Sequence, residues 1–599
     1  MKRKLIVFLG IMPWLPAYAG GPAVPDAVRP GAIRPGEERS YTIPKEQAEV
    51  FKVPKVVERP LDIDAGPKVQ VTKFNLVGVV DRPAQKISIS DVQELVDKKL
   101  AARPEGFTVG RLQEVATSVT QYYRKHGLIL AQAFVPVQEV KDGVVNIRVM
   151  EGKLGRVVFE GNKKYSDAIL EKPFESLIGQ PVTKDGAEAA LLYVNDYPGM
   201  GLFGVFQPGQ QVGTADMVLK VQKEKRFDGS IRYDNHGLAE TGVHRFRGEL
   251  NINNITGHAD KLTLSAQGTH VPDNLIFWAA DYEVPVFGVK NTFAIGFNRN
   301  KYDVGGQSAS QNFAGISENG HASLEHSFIR SRQLDLSALM RFERKTAITL
   351  RNKTDFNRDD LSVLSAQVNF DNVDTRFAGL NNGQIEFSHG LNDFLGSMGD
   401  SASAANESRG KQPDRRGASG KFAAGDFNKL FVAFSRLQSM APLGELIKKP
   451  EWFKGQSLLL RAEAQWSSDL LVPLEQYAIG GPNNVRAYGP TQALFDKAMF
   501  FSFEYIIPFP GIADKEAFDN HTWGELIQLS FFYDVAFGRL NDPLPSEVAS
   551  RNYKGAGLSI SYNNPGKFST KFTFANPIGD PFPQNKRSPQ FWVDFNYYF

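Results

Sequence analysis

The last nine residues decide the fold, and they are Phe591-Trp592-Val593-Asp594-Phe595-Asn596-Tyr597-Tyr598-Phe599. Successive side chains of a β-strand point to opposite faces, so the odd-numbered residues from Phe591 to Phe599 form one apolar face. A soluble protein seldom leaves such a strand unpaired, because open strand edges aggregate. In a closed barrel this strand pairs with the first strand, so the segment predicts a β-barrel.

The same alternation recurs over residues 225–599, where helical periodicity disappears. Along Leu458–Trp466, for example, the even-numbered positions are apolar, whereas Arg461 and Glu463 lie on the other face. Turn-rich stretches of Gly, Asn, Asp and Ser separate such runs. A β-sandwich also alternates, but it typically has about 100 residues. Charges on the polar face suit a water-filled lumen. We therefore predict a mainly β protein with a C-terminal transmembrane antiparallel β-barrel.

The composition excludes several functional classes. The 599 residues include no cysteine, which excludes a disulfide scaffold, thiol catalysis and a cysteine zinc site. The 69 basic and 66 acidic residues nearly balance, so nothing indicates a nucleic-acid partner.

The N-terminus predicts a secretory signal peptide over residues 1–19. Lys2 to Lys4 are basic, residues 5–15 are apolar, and Ala17-Tyr18-Ala19 has the small-x-small pattern of a cleavage site. No later run offers the roughly 20 apolar residues that a membrane-spanning helix needs. A membrane-embedded form of this chain must therefore be a barrel.

Between the signal peptide and the barrel, a linker and two small modules are predicted. Residues 20–68 are a Pro-rich linker, because repeated proline blocks helix propagation. Residues 69–152 form an α+β module, and residues 153–224 repeat its β-α-α-β-β order less regularly. The first module contains a strand over 69–80, helices over 90–100 and 109–125, and a hairpin of strands over 131–140 and 144–150. The second contains strands over 156–160, 204–207 and 217–222, with helices over 167–177 and 184–195.

Motifs in both modules resemble a known family. The first module carries Tyr122-Tyr123-Arg124-Lys125-His126-Gly127, then Ala131-Gln132-Ala133-Phe134-Val135-Pro136, then Val149-Met150-Glu151-Gly152. This series resembles the first POTRA domain of two-partner secretion transporters (TpsB proteins, of the ShlB/FhaC/HecB type), and Phe159-Glu160-Gly161-Asn162 resembles the start of the second. The resemblance covers the chain from about residue 69 onward. It implies two periplasmic POTRA modules ahead of an outer-membrane barrel of about sixteen strands.

Two further motifs resemble the family's barrel. Gly480-Gly481 followed by Val485-Arg486-Ala487-Tyr488-Gly489 resembles its VRGY motif, and Phe532-Tyr533-Asp534-Val535-Ala536 resembles its F-x-D-x-G motif. Ala487 and Ala536 stand where those motifs have glycine. The resemblance implies that a loop around residues 475–497 folds into the lumen and that its Arg486 meets Asp534. Strand parity independently puts Asp534 on the lumenal face. This pair either latches the loop and biases the pore or merely ties the fold together.

The resemblance also implies a function. The expected activity is export of a large, unfolded partner protein, an adhesin, cytolysin or contact-dependent toxin. The POTRA modules would recognise it by β-augmentation at a strand edge or in a groove beside a helix. Phe599 would be a C-terminal signal for the barrel assembly machinery, and outer-membrane lipids would surround the barrel. No catalytic residue, cofactor site or metal site is predicted, since no P-loop, H-E-x-x-H or G-x-S-x-G motif occurs.

Other interpretations stay open from sequence alone. A barrel-assembly factor shares this superfamily but usually carries more modules, and the tandem modules argue against a passive porin or siderophore receptor. An outer-membrane enzyme is the third alternative, but the sequence shows no group of catalytic residues.

Three segments have further interpretations. Gly199–Gly204 matches G-x-G-x-x-G, but a helix precedes it and a strand follows, which argues against a dinucleotide site. Residues 400–420 predict a long, flexible extracellular loop. The proline spacing in 20–68 argues against the plug helix that the family often has there.

Overall fold

The computed structural model describes Arg29, Phe51, residues 63–449, Phe453 and residues 455–599. The predicted signal peptide lies outside the described residues, as does the predicted linker apart from Arg29, Phe51 and residues 63–68. Among the helices of the described part, none combines the length and the apolar character needed to cross a membrane.

The first module packs two helices against a three-stranded sheet. Its elements are β1 (Lys73–Val77), α1 (Ile89–Ala101), α2 (Val109–Lys125), β2 (Gln132–Phe134) and β3 (Val144–Met150), in the sheet order β1-β3-β2. The side chains of Ser88 and Thr108 accept hydrogen bonds from backbone amides in the first turns of the two helices, which caps them. The strand predicted over 131–140 is much shorter, because Pro136 has no amide hydrogen to donate.

The second module repeats this arrangement with β4 (Lys153–Glu160), α3 (Asp167–Glu171), α4 (Lys184–Asn195), β5 (Met200–Pro208) and β6 (Thr214–Glu224). Its sheet order is β4-β6-β5, so β5 is an edge strand. The helix predicted over 167–177 ends early and continues as a single 3-10 turn that contains Pro173. Gly199 makes a turn with φ +70° just before β5. A strand rather than a helix therefore follows this glycine, which rules out the dinucleotide fold at this motif.

Sixteen strands of the described residues form a closed antiparallel barrel, and two short strands pair separately. The barrel strands are β7 (Phe227–Asp234), β8 (His244–Asn253), β9 (Lys261–His270), β10 (Leu275–Pro285), β11 (Asn291–Asp303), β12 (Phe313–Arg330), β13 (Leu334–Arg351), β14 (Thr354–Asp374), β15 (Gly379–Gly390), β16 (Asn428–Ser439), β17 (Ser457–Trp466), β20 (Lys497–Pro508), β21 (Ile527–Arg539), β22 (Ser550–Asn564), β23 (Phe568–Pro577) and β24 (Gln590–Tyr598). The separate pair is β18 (Tyr477–Ile479) and β19 (Ala493–Phe495). Short helices lie in three connections: α5 (Ser401–Asn406), α6 (Ala441–Leu446) and α7 (Trp523–Leu526).

The last strand closes the barrel, as predicted. β24 pairs with β7 from Asp594 opposite Asp234 to Tyr598 opposite Ser230. Its outward aromatic residues Phe591 and Tyr597 are each 54% exposed, whereas Trp592 on the inward face is 5% exposed. The large exposed aromatic side chains of this strand therefore form part of the surface that meets lipid.

The second module docks on one end of the barrel, which we call the module end. Arg330 at the end of β12 makes two hydrogen bonds of 2.7 Å with the Asp196 carboxylate, just after α4. The amide of Arg332 donates to the Glu188 carboxylate at 2.7 Å, and the Tyr193 hydroxyl donates to Ser327 at 3.1 Å. The opposite end, the distal end, carries the connections after β15 and β17.

Candidate functional site: a loop folded into the barrel lumen

A long connection between β17 and β20 lies inside the barrel. This segment, residues 467–496, contains the β18–β19 hairpin and is called the lumen loop. Val485, Arg486, Ala487 and Tyr488 at its tip are at most 2% exposed. Their neighbours are inward-facing side chains of β20, β21, β22 and β24, so the loop tip lies against the inner wall of the barrel.

The two glycines of the loop permit its tight return. Gly480 and Gly481 have φ values of +102° and +97°, in the left-handed region that disfavours side chains. A side-chain carbon on Gly480 would lie 2.3 Å from the carbonyl oxygen of Gly489. The amide of Gly481 donates to the Tyr488 carbonyl at 3.0 Å, which closes the tip. These contacts explain the glycine pair in structural terms.

Arg486 meets Asp534 through a two-pronged contact. Its Nε donates to one Asp534 carboxylate oxygen and its Nη2 to the other, each at 2.8 Å. Its backbone amide donates to the same carboxylate at 3.1 Å. The guanidinium carbon lies 3.4 Å from the centre of the Phe532 ring, and Phe532 lies on the same inward face of β21. Such planar, two-pronged pairs are among the stronger hydrogen-bonded contacts in proteins.

A second carboxylate, Glu504, completes the guanidinium environment. Arg486 Nη1 donates to Glu504 at 2.5 Å, and Nη2 also donates to the Ser502 hydroxyl at 3.0 Å. Glu504 accepts a further bond from Ser530 at 2.6 Å and contacts Lys571 at 3.4 Å. No motif of the sequence predicted the contact between Glu504 and Arg486. Strand parity places Glu504 on the inward face of β20, two residues beyond Ser502, but it does not identify Arg486 as its partner.

The alanine in the loop motif fits because a glycine faces it. A side-chain carbon on Gly555 of β22 would lie 2.4 Å from Cβ of Ala487, so the two positions share one space. The Tyr488 hydroxyl donates to the Pro581 carbonyl at 3.0 Å. The indole of Trp592 on β24 donates to the backbone carbonyl of Arg486 at 2.7 Å. The loop tip thus contacts both β22 and the closing strand.

Buried charges also hold the base of the lumen loop. Glu475 lies between Lys345 of β13, at 3.0 Å, and Lys429 of β16, which binds its other carboxylate oxygen. Asp496 pairs with Arg415 at 3.2 Å. All five side chains are at most 9% exposed. The loop is therefore anchored at its base as well as at its tip.

Arg415 belongs to a second connection, residues 391–427, which we call the distal loop. Ala423 and Phe427 of this loop pack against Leu471 and Val472 of the lumen loop in one buried apolar cluster. The long loop expected over 400–420 is present at the distal end, and it packs on the lumen loop. The distal loop folds onto the lumen loop because an ion pair and an apolar contact both hold it there.

Comparison with known proteins identifies the family. The family of haemolysin secretion/activation proteins ShlB/FhaC/HecB matches residues 213–504, and the ShlB-type POTRA domain matches residues 71–152. The heme/hemopexin transporter protein HuxB of Haemophilus influenzae (strain 86-028NP) is 23% identical, over 88% of this chain and 87% of HuxB. The outer membrane transporter CdiB of Escherichia coli is 24% identical, over 72% of this chain and 69% of CdiB. The solved structure of CdiB from Escherichia coli covers 91% of this chain and 93% of its own, with 18% identity and a TM-score of 0.66.

The chain belongs to the ShlB/FhaC/HecB family.

As a member of the ShlB/FhaC/HecB family, the chain is an outer-membrane transporter of two-partner secretion. Its N-terminal modules place the module end of the barrel in the periplasm and the distal end at the cell surface. The closed sixteen-stranded barrel of the described residues agrees with the strand number that the resemblance implied.

Where β24 meets β7, this ShlB/FhaC/HecB protein carries a cluster of side chains whose spacing resembles that of metal ligands. Asp234, His236 and Asp594 bring potential ligand atoms within 4.8 Å of one another. Arg245 pairs with Asp234 at 2.6 Å, and Arg232 pairs with Asp594 at 2.6 Å. Guanidinium groups already compensate both carboxylates, so the cluster is an ion-pair network across β7, β8 and β24.

Proposed function

We propose that this transporter exports one large, extended partner polypeptide through its lumen, and that the Arg486–Asp534 contact is the latch that keeps the lumen loop closed at rest. One observation carries this proposal: a buried arginine on the lumen loop forms a two-pronged contact with the barrel wall. An extended chain needs the space that this loop occupies. Export therefore requires the loop to leave its place.

The chemistry of the contact suits a latch. Removing one partner from a buried ion pair typically costs about 3–5 kcal/mol, because the other charge stays desolvated and uncompensated. Arg486 faces two carboxylates, Asp534 and Glu504, and each keeps a partner when Arg486 leaves: Ser502 for Asp534, and Ser530 with Lys571 for Glu504. The wall is therefore arranged to tolerate an empty loop position.

The partner is proposed to be an adhesin, a cytolysin or a contact-dependent toxin. Two relatives support one dedicated partner rather than export of many proteins: HuxB, named as a heme/hemopexin transporter protein, and the outer membrane transporter CdiB. We propose that the periplasmic modules recognise the unfolded partner. The sequence contains no P-loop, so folding of the partner outside the cell is the proposed driving force.

Phe599 is proposed to be the signal that the barrel assembly machinery binds. Its amide donates to the Gly229 carbonyl at 3.1 Å, and its side chain is 44% exposed at the module end. An exposed terminal aromatic side chain on a strand edge suits recognition in the periplasm before the barrel closes.

The decisive experiment is depletion of this protein, followed by comparison of the culture supernatant and the outer-membrane proteome. Loss of one or a few large secreted proteins with unchanged barrel proteins is expected for a dedicated exporter. Broad loss of outer-membrane barrels would indicate an assembly factor and would overturn the export proposal.

A second experiment tests recognition by the modules. Deletion of residues 69–224 should stop secretion while the barrel still folds. Normal secretion by this deletion variant would refute recognition by the modules.

A further inference from the structure

Phe51 occupies the open edge of the second module. It forms a parallel bridge with Gly204 of β5, and its side chain is 5% exposed. Its ring packs edge-on against Phe206, with centroids 5.9 Å apart and an interplanar angle of 87°. Phe51 belongs to the same buried cluster as Leu191 of α4 and Leu202 of β5. A residue far outside the module in sequence is thus part of the module core.

The edge that Phe51 occupies is one that another chain could use. β5 pairs with β6 on one side, and on its other side the Phe51 bridge is the strand contact seen among the described residues. Exposed strand edges present backbone donors and acceptors to any extended segment. Beside this edge, Phe206 and Leu191 supply an apolar pocket that holds one aromatic ring. Together they form a site for an extended peptide bearing an aromatic side chain.

Two other contacts hold the chain on either side of Phe51. The Thr108 hydroxyl donates to the Ile63 carbonyl at 2.5 Å, and Arg111 makes two bonds of 2.7 Å with Asp64. The Arg111 guanidinium holds the pKa of the Asp64 carboxyl below its ordinary value. On the other side of Phe51 in sequence, Arg29 lies 3.4 Å from Asp414 of the distal loop, at the opposite end of the barrel. The anchor at Ile63 and Asp64, about twelve residues along the chain, keeps Phe51 near its site and gives it a high effective concentration there.

We propose that the β5 edge and its aromatic pocket form the docking site for an extended, aromatic-bearing segment of the exported polypeptide, and that Phe51 is an internal ligand which fills this site until the partner displaces it. This inference rests on the proposed export function. It identifies the surface of the second module that receives the partner. It also gives the linker a role that differs from plugging the lumen.

The first test uses a fluorescent peptide of residues 45–57 and the full-length protein in detergent micelles. Phe51→Ala empties the site, so the peptide should bind this variant at least about tenfold more tightly than the unsubstituted protein, where the tethered segment competes. Phe51→Leu should give an intermediate affinity, since it keeps apolar volume without the ring. Ile63→Ala is the matched control, because that side chain is 44% exposed and its backbone makes the contact.

Equal binding to the Phe51→Ala variant and the unsubstituted protein would overturn the internal-ligand inference. The inference would also be overturned if the Phe51→Ala variant bound the peptide and a second peptide, with alanine in place of the phenylalanine, equally well. Because these measurements need no secretion, they are independent of the proposed export function.

The second test blocks the site in cells. The chain has no cysteine, so a single introduced thiol can be labelled specifically. A bulky maleimide on the Phe51→Ala, Phe206→Cys variant should abolish appearance of the secreted protein that depletion identifies. The same label on the Phe51→Ala, Val212→Cys variant should leave secretion unchanged, because Val212 is a 95% exposed residue of the same module.

The two proposals fail in different ways. If depletion changes no secreted protein, the export function is wrong, whatever the peptide does. If depletion removes a secreted protein but labelling at position 206 does not affect its secretion, only the docking site is wrong.

Discussion

At the scale of single residues, the site depends on one arginine and the spaces around it. The motifs predicted that Arg486 and Asp534 would meet, and strand parity predicted the inward face of Asp534. The role of Glu504 could not be predicted, because it depends on strand register, which places Ser502 opposite Asp534 and Glu504 opposite Phe532. Sequence patterns give the face of a strand but not the stagger between two strands.

Substitution of Arg486 by alanine should release the lumen loop. The expected result is a higher time-averaged conductance in planar bilayers, because breaking one buried ion pair costs about 3–5 kcal/mol. Cells that carry this variant should also become sensitive to a bulky antibiotic that the closed barrel excludes.

Two variants control this experiment. Arg486→Lys keeps the charge but loses the planar fork, so an intermediate conductance is expected. Arg436→Ala removes an arginine that pairs with Asp374 at 2.9 Å near the module end, without contact to the lumen loop among the bonds described for it. An unchanged conductance of Arg486→Ala with a lowered unfolding temperature would show that the pair only ties the fold.

The shared space of Ala487 and Gly555 gives a second prediction. Gly555→Ala should lower the unfolding temperature, because overpacking a buried contact costs about 1–3 kcal/mol. Ala487→Gly in the same chain should restore most of the loss. Heat-dependent mobility in gels would measure both, and simple additivity of the two single effects would disprove the shared space.

At the scale of elements, the sequence predicted the long helices better than the ends of short elements and the contacts of loops. Helical and strand periodicity gave the two long helices of the first module with nearly correct ends, 109–125 for α2 among them. Proline shortened β2 and α3 relative to the prediction. The contacts of the distal loop could not be predicted, because its Ser, Ala, Gly and Arg content says nothing about the two other segments that hold it. Asp496 lies in one, and Asn541 and Asp542 lie in the other.

Arg415 is predicted to hold the distal loop down. In intact cells, Arg415→Ala should increase trypsin cleavage at Arg416 and Lys421, because the loop loses its buried ion pair with Asp496. Arg409→Ala is the matched control: its guanidinium lies 4.3 Å from the centre of the Phe356 ring, a weaker contact. Equal cleavage of these two variants would argue against the anchor.

At the scale of the whole molecule, alternation over hundreds of residues predicted the barrel and its closure. The docking of the second module could not be predicted, because it joins α4 to a barrel turn more than a hundred residues away in sequence. Neither segment carries a pattern that identifies its partner. The contacts of Phe51 and Arg29 were missed for the same reason.

Docking of the second module should depend on Arg330. In Arg330→Ala, amides of α4 should exchange hydrogen faster while the barrel unfolds at its usual temperature. The effect should be modest, since Asp196 is 47% exposed and such pairs contribute about 0–1 kcal/mol. Arg156→Ala removes a pair with Asp216 inside the same module and should leave α4 unaffected. Unchanged exchange in both variants would mean that Tyr193 and Glu188 suffice.

The hydrogen bond from the Trp592 indole to the Arg486 carbonyl links two steps of barrel assembly, the pairing of the last strand and the seating of the lumen loop. Trp592 lies on the strand that enters the sheet last in sequence and completes the cylinder. An unfinished barrel therefore lacks one of the groups that hold the lumen loop against the wall. Pairing of β24 with β7 and seating of the lumen loop therefore reinforce each other, so the loop gains its full set of contacts only when the wall is complete.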